Sequence, residues 1–313
     1  MTQAWLWAGF AVLVIGILAF DLGVAGRGKH EISTRRALTM VGAYAAFALG
    51  FGGAVFVTMG ADPAMEYVTA WLLEQSLSLD NIFVWVLIFQ HFKIEDDAQQ
   101  RVLFWGIMGA MALRGIFIFA GAALINAFEW LLYLFGALVI VSGIRLLLKK
   151  DSSKNIGDSK LLRLLRRRLK VVEDSQDESF FVRREGKLRV TQLFLALIVI
   201  EATDLVFALD SIPAIFGVTR DTLIVYTSNI FAVLGLRALY FAIAGLVEHL
   251  RYMRYGLALL LVLIGAKMIG GHFVTIPVWL TLLATVGIIG GTISISLMTR
   301  HRQEEISTSS GLS

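Results

Sequence analysis

Residues 191–216 read TQLFLALIVIEATDLVFALDSIPAIF, a run in which only Glu201, Asp204 and Asp210 carry charge. A helix rises about 1.5 Å per residue, so roughly 20 apolar residues cross a hydrocarbon core of about 30 Å. The run is long enough to span. Eight more apolar runs lie near 4–25, 38–60, 67–91, 102–125, 129–149, 224–248, 253–271 and 276–299. The chain is 57% hydrophobic and 17% charged, with mean hydropathy +0.75, more apolar surface than a water-soluble core can hide. This excludes a soluble multidomain enzyme. The runs are continuous rather than alternating, so closed barrels are excluded too. The expected fold is an all-α polytopic membrane protein with about nine transmembrane helices.

The charges sort by side. Of 28 Lys and Arg, 24 fall in alternate connections: Arg27 to Arg36, Lys93 and Arg101, Arg145 to Arg189, Arg251 and Arg254, Arg300 and Arg302. The positive-inside rule then places the C-terminus in the cytoplasm and the N-terminus in the periplasm, as an odd number of spans requires. The opening MTQAWLWAGF has no basic n-region, and the first run is expected to stay attached as a helix. The stretch KLLRLLRRRLKVV at 160–172 places Leu161, Leu165, Leu169 and Val172 on one helical face and Arg163, Arg166 and Lys170 on another. This fits an interfacial helix on anionic lipid, or a basic helix against the neighbouring spans. The net charge of +4 brings no aromatic platform with it, so no nucleic-acid partner is expected. A small hairpin is expected around Glu185-Gly186.

Three spans are duplicated. Glu74 and Leu79-Asp80-Asn81-Ile82 match Asp204 and Leu209-Asp210-Ser211-Ile212 at an offset of 130 residues. Leu113-Arg114 matches Leu236-Arg237, and Tyr133 with Gly143-Ile144-Arg145 matches Tyr255 with Gly265-Ala266-Lys267. Because three is odd, the second copy starts from the opposite face, which makes an inverted repeat. The resulting organisation is an N-terminal two-helix segment at 1–66, a first repeat at 67–149, and a cytoplasmic basic loop at 150–190. A second, inverted repeat at 191–271 and a C-terminal helix with tail at 272–313 complete it.

Within the spans, Glu74, Asp80, Glu201, Asp204 and Asp210 outnumber Arg114 and Arg237. Hydrocarbon does not hold such an excess of anions without protons or a bound cation. Arg114 and Arg237 are expected as internal counter-charges, while Arg145 and Lys267, near span ends, read as anchors that snorkel to water. Asp21 lies nearer the cytoplasmic end of the first span. Asn81 and Ser211 are candidate neutral ligands, as are Ser228 and Asn229. The chain has no cysteine, and its five histidines fall at segment ends or in loops, so a metal would meet oxygen. Glu74 and Asp80 are six apart and do not share a face of a straight helix. A loosening of the backbone at Leu79-Asp80-Asn81 and at Leu209–Pro213 is therefore expected.

EQSLSLDNIFVW at 74–85, EATDLVFALDSIPAIF at 201–216, TSNIFAVLGLRALYF at 227–241 and FFVRREG at 180–186 resemble the TerC family of integral membrane proteins, in its Alx-like branch. The resemblance covers almost the whole chain, and the inverted repeat is similar to that of the wider LysE-type transporter superfamily. It implies a bacterial inner-membrane exporter of manganese, with Glu74, Asp80, Glu201, Asp204 and Asp210 as its functional residues. Carboxylate, amide and carbonyl ligands suit Mn²⁺, Mg²⁺ and Ca²⁺ alike; only the family singles out manganese. Manganese is then the cargo, no tightly bound cofactor is expected, and proton exchange is a means of driving export. No nucleotide-binding motif is present, which disfavours direct use of ATP, and no enzymatic activity is expected. Two alternatives stand beside this reading: an intramembrane aspartyl protease using Asp80 and Asp210, and an exporter of small organic cations. The first lacks a Gly-x-Gly-Asp context and leaves Glu74, Asp204 and both arginines unexplained; the second does not account for the acid-rich core.

Overall fold

A computed structural model describes residues 2–25, 33–148, 171–172, 179–184, 187–243, 253–271 and 276–310. Among them are nine helices: α1 (Thr2–Ala25), α2 (Thr34–Met59), α3 (Ala61–Phe92), α4 (Asp96–Ala127), α5 (Leu131–Leu148), α6 (Gln192–Phe216), α7 (Thr222–Ile243), α8 (Met253–Gly270) and α9 (Val278–Ser310). All but α8 are long and apolar enough to cross a membrane; α8 has 18 residues, with Arg254 and Lys267 toward its ends. The all-α membrane fold read from the apolar runs is the fold observed.

Burial follows composition around each helix. On α7 the residues from Leu223 to Ala238 are nearly all buried except Tyr226, as befits a helix apolar on every side. It forms the centre, packed by α2, α3 and α4. Helices α5 and α9 bury few residues and present Leu134, Leu138, Leu147, Leu283 and Val286 outward. In water such a surface would drive association, whereas against lipid chains it costs nothing.

Helix ends have local causes. Gly60 alone joins α2 to α3 at φ 99°, a left-handed value that glycine adopts without strain, and its N–H caps the Phe56 carbonyl. Both acid-bearing helices are continuous. The loosening expected at Leu79-Asp80-Asn81 and at Leu209–Pro213 is not seen, because α3 runs unbroken from Ala61 to Phe92 and α6 from Gln192 to Phe216. Pro213 sits in the last turn of α6, where one missing donor is all it costs.

The expected hairpin is present. β2 (Phe181–Arg184) pairs antiparallel with β3 (Lys187–Thr191), Arg184 opposite Lys187, and β3 leads directly into α6. The basic stretch at 160–172 lies outside the described residues up to position 170. Its last two residues are not helical: Val171–Val172 form β1, parallel to Val190–Thr191, because the edge of β3 offers them a ladder.

Helices α5 and α8 touch through glycine. A methyl group at Gly265 would come within 2.7 Å of the Gly136 carbonyl oxygen, and one at Gly143 within 2.8 Å of the Ala258 carbonyl oxygen. Small residues allow such backbone approach in membranes. Gly265→Ala should therefore force the pair apart and destabilise the bundle by about 1–3 kcal/mol. Gly290→Ala on α9, with nothing near its Cβ position, should be neutral, and thermal unfolding in detergent compares the two.

Candidate functional site: a charged cavity between α3, α5, α6 and α8

Helix α3 points Glu74, Leu77 and Asn81 along one face, at i, i+3 and i+7, toward the arginine of α4 and the aspartates of α6. Arg114 is 1% exposed and forks onto Asp204, with Nε donating to Oδ2 at 3.0 Å and Nη2 to Oδ1 at 2.8 Å. Its Nη1 donates to Glu74 Oε1 and, at 3.4 Å, to Asn229 Oδ1 of α7. Asn81 Nδ2 donates to Asp204 Oδ1 at 3.2 Å. One guanidinium thus joins α3, α4, α6 and α7. Charge-assisted, two-pronged bonds of this kind are what let charges persist away from water.

Beside this network lies a cavity of about 540 Å³ lined by Glu74, Asp80, Asn81, Arg114, Ser142, Arg145, Asp210 and Ser211, with Leu257 and Leu261 of α8 closing one wall. Ser142 Oγ donates to Asp210 Oδ1 at 2.7 Å. Of the buried oxygens on this wall, Asn81 Oδ1 accepts no hydrogen bond, and Glu74 Oε2 and the Ser211 hydroxyl have at most each other. Orphaned acceptors in a dry interior are costly, and a ligand that accepts their lone pairs relieves the cost. Four carboxylates, Glu74, Asp80, Asp204 and Asp210, line the cavity or bind its wall, against the guanidiniums of Arg114 and Arg145. Counted as fully ionised, these groups carry a formal excess of two negative charges, the charge of one divalent cation. Among the described residues no three His, Asp or Glu side chains converge as a ready-made metal cage, since Arg114 holds Glu74 and Asp204 in its fork.

The structure brings together Glu74, Asp80, Asn81, Asp204, Asp210, Ser211 and Arg114, and sets two expected members apart. Glu201 faces the other side of α6, into an apolar recess with Trp105, Met108, Leu113 and Leu197, and its carboxylate lies over Gly109 of α4. Arg237 has its Nη2 3.8 Å from Asp21 Oδ1 of α1, where the Tyr44 hydroxyl also donates at 2.6 Å. Ser228 bonds the Ile224 carbonyl of its own helix at 2.7 Å and offers the cavity nothing. Ser142 was not singled out by the sequence, and Arg145, read as an anchor, lines the cavity. The signal available for both was their adjacency in the repeated Gly143-Ile144-Arg145 motif.

A helical bundle with apolar outer spans and a charged cavity lined by residues of five helices is a polytopic integral membrane protein with an interior polar site. The chain belongs to the integral membrane protein TerC family, which matches residues 59–304. It is 44% identical over 297 residues to an uncharacterised membrane protein of Myxococcus xanthus, covering 95% of this chain and 93% of the other. It is 43% identical over 309 residues to the proposed membrane-bound redox modulator Alx of Salmonella typhi, covering 96% of each chain. To the protein of that name from Escherichia coli K12 it is 42% identical over 309 residues, again covering 96% of each. No solved structure matches.

Proposed function

We propose that the protein is a secondary transporter that carries a divalent metal cation, manganese by family resemblance, out of the cytoplasm through this cavity in exchange for protons. The observation that carries the reading is the cavity itself: hard oxygen donors, Asn81 Oδ1 among them without a hydrogen bond, and a formal excess of two negative charges. Such donors suit a hard or borderline divalent ion and give no purchase to a soft one. Asp80, Asp210, Asn81 and Ser211 are the proposed ligands, with Glu74 joining as Arg114 yields its grip. Arg114 acts as a built-in competitor for the same carboxylates, so the cation enters by taking over part of its role.

The inverted repeat is part of the proposal. The Gly136–Gly265 contact and the Gly143–Ala258 contact exchange with one another when each residue is replaced by its repeat counterpart, as a two-fold axis between α5 and α8 would require. Orientation follows the basic residues, with the N-terminus periplasmic and the C-terminus cytoplasmic in a bacterial inner membrane. A reporter fused after Ser313 and active on the periplasmic side would reverse it.

The protease alternative needs Asp80 and Asp210 to share a proton and gives no role to the buried Arg114, Glu74 and Asp204 network. A thiol–disulfide role under the redox name of the Alx relatives has no cysteine to work with in this chain. Uptake into inside-out vesicles, with Mn²⁺, Mg²⁺, Ca²⁺ and an organic cation offered separately, tests cargo and coupling together. Manganese should accumulate, and faster when the vesicle interior is acid. Accumulation of the organic cation alone would favour the other exporter, and indifference to the pH gradient would remove proton exchange.

A further inference from the structure

A second cavity, of about 650 Å³, lies further along the helices that wall the first, at the start of α3 and α5 and the end of α6 and α8. Its polar lining is Glu66, Glu129, Thr219, Arg220, Asp221 and Lys267. The two share four helices. Helix α3 gives Glu74 to one and Glu66 to the other; α5 gives Ser142 and Tyr133; α6 gives Ser211 and Phe216; α8 gives Leu261 and Met268. At about 1.5 Å per residue these pairs lie roughly 7–14 Å apart along their helices, so the cavities are stacked end to end.

What separates them is dry. Along the shared helices Leu73, Val139, Ile212, Ile215 and Ile264 fall between the lining residues of the two cavities, each at most 5% exposed and all in one apolar cluster. The packing closes on backbone at the end of α6: a methyl group at Gly217 would come within 2.7 Å of Ile264 Cγ2 and of Met268 Sδ. No ion crosses such a constriction while it stays closed, since hydrocarbon walls supply no ligand to replace its water.

We infer that the second cavity is the other mouth of one translocation path, and that the cluster around Ile264 is the gate that closes it in this conformation. The inference rests on the proposed transport function and deepens it, giving a divalent cation its exit. Three carboxylates, Glu66, Glu129 and Asp221, face two cations, Arg220 and Lys267, so the mouth favours a departing cation without the dense ligand set that would retain it. The α5–α8 pair bounds the gate, and its close glycine contacts let the helices slide without side chains interlocking.

The absence of native cysteine makes single-cysteine labelling a clean test. Reconstituted Glu129→Cys and Ile264→Cys proteins are treated with a charged, membrane-impermeant thiol reagent. Leu73→Cys serves as a second gate position should the first variant fail to fold. Without metal, the gate position should react at least about tenfold more slowly than Glu129→Cys, because an opened minor state is populated at 10% or less. Manganese turnover should raise the gate rate and leave Glu129→Cys unchanged. Equal rates at both positions in metal-free protein would overturn the gate. So would a gate position that stays protected while the same vesicles accumulate manganese, a result that leaves the cargo assignment standing.

Discussion

Arg114→Met should destabilise the protein by about 3–5 kcal/mol, the usual cost of removing one partner from a buried ion pair. Arg114, Glu74 and Asp204 are each at most 3% exposed, and the guanidinium supplies Asp204 with two hydrogen bonds and Glu74 with one. Without it, two carboxylates stay buried with Asn81 as the remaining donor to Asp204. Arg114→Lys keeps the charge but loses the planar fork and should fall between. The triple change Arg114→Met, Glu74→Gln, Asp204→Asn removes all three charges and should recover most of the loss, because neutral groups of similar size carry little desolvation penalty. Thermal unfolding in detergent, with membrane abundance as a second readout, checks the series. Parental stability for Arg114→Met would mean that the fork does not hold α3, α4 and α6 together.

Asp210→Asn and Asp80→Asn should each slow manganese transport at low metal by at least about tenfold to a hundredfold, the range seen when groups supporting a bound metal are removed. The replacement keeps size and shape, and an asparagine oxygen can still accept the Ser142 hydrogen bond, so folding should survive. What is lost is one negative charge and the stronger donor. Glu201→Gln is the internal comparison. Its carboxylate faces the recess over Gly109 rather than the cavity, so its uptake should stay near the parental rate. Equal uptake by all three variants would place the site elsewhere.

The fold was legible because hydrocarbon leaves the chain few choices. Each apolar run coincides with a helix, though α3 and α4 begin six residues before the expected bounds and α9 continues eleven residues past them to Ser310, and strands β2 and β3 pair on either side of the Glu185-Gly186 turn signal. The site was legible in part. Intramembrane acids betray themselves by their cost, which is how Glu74, Asp80, Asp204 and Asp210 stood out. Direction around a helix axis is harder to read. Glu201 and Asp204 are three residues apart, close enough to suggest a shared face, yet neighbouring helices divide them between a recess and the Arg114 network. The expected backbone break came from assuming that Glu74 and Asp80 must share a face. A cavity wide enough to be reached from two sides of a straight α3 removes that need. Partner choice was illegible as well. Arg237 mirrors Arg114 in sequence, but Asp21 of α1, outside the repeat, lies within 3.8 Å of it.

The proposed divalent-cation site lies inside the cavity, with Asp80 and Asp210 as its anionic ligands. Anomalous X-ray scattering from crystals of the intact protein soaked in manganese locates the ion without reference to transport. One strong peak is expected within the cavity, in contact with carboxylate oxygens of Asp80 and Asp210, and it should be lost in Asp210→Asn crystals. A cavity empty of anomalous signal at saturating manganese, or a peak that persists unchanged in the variant, would contradict it.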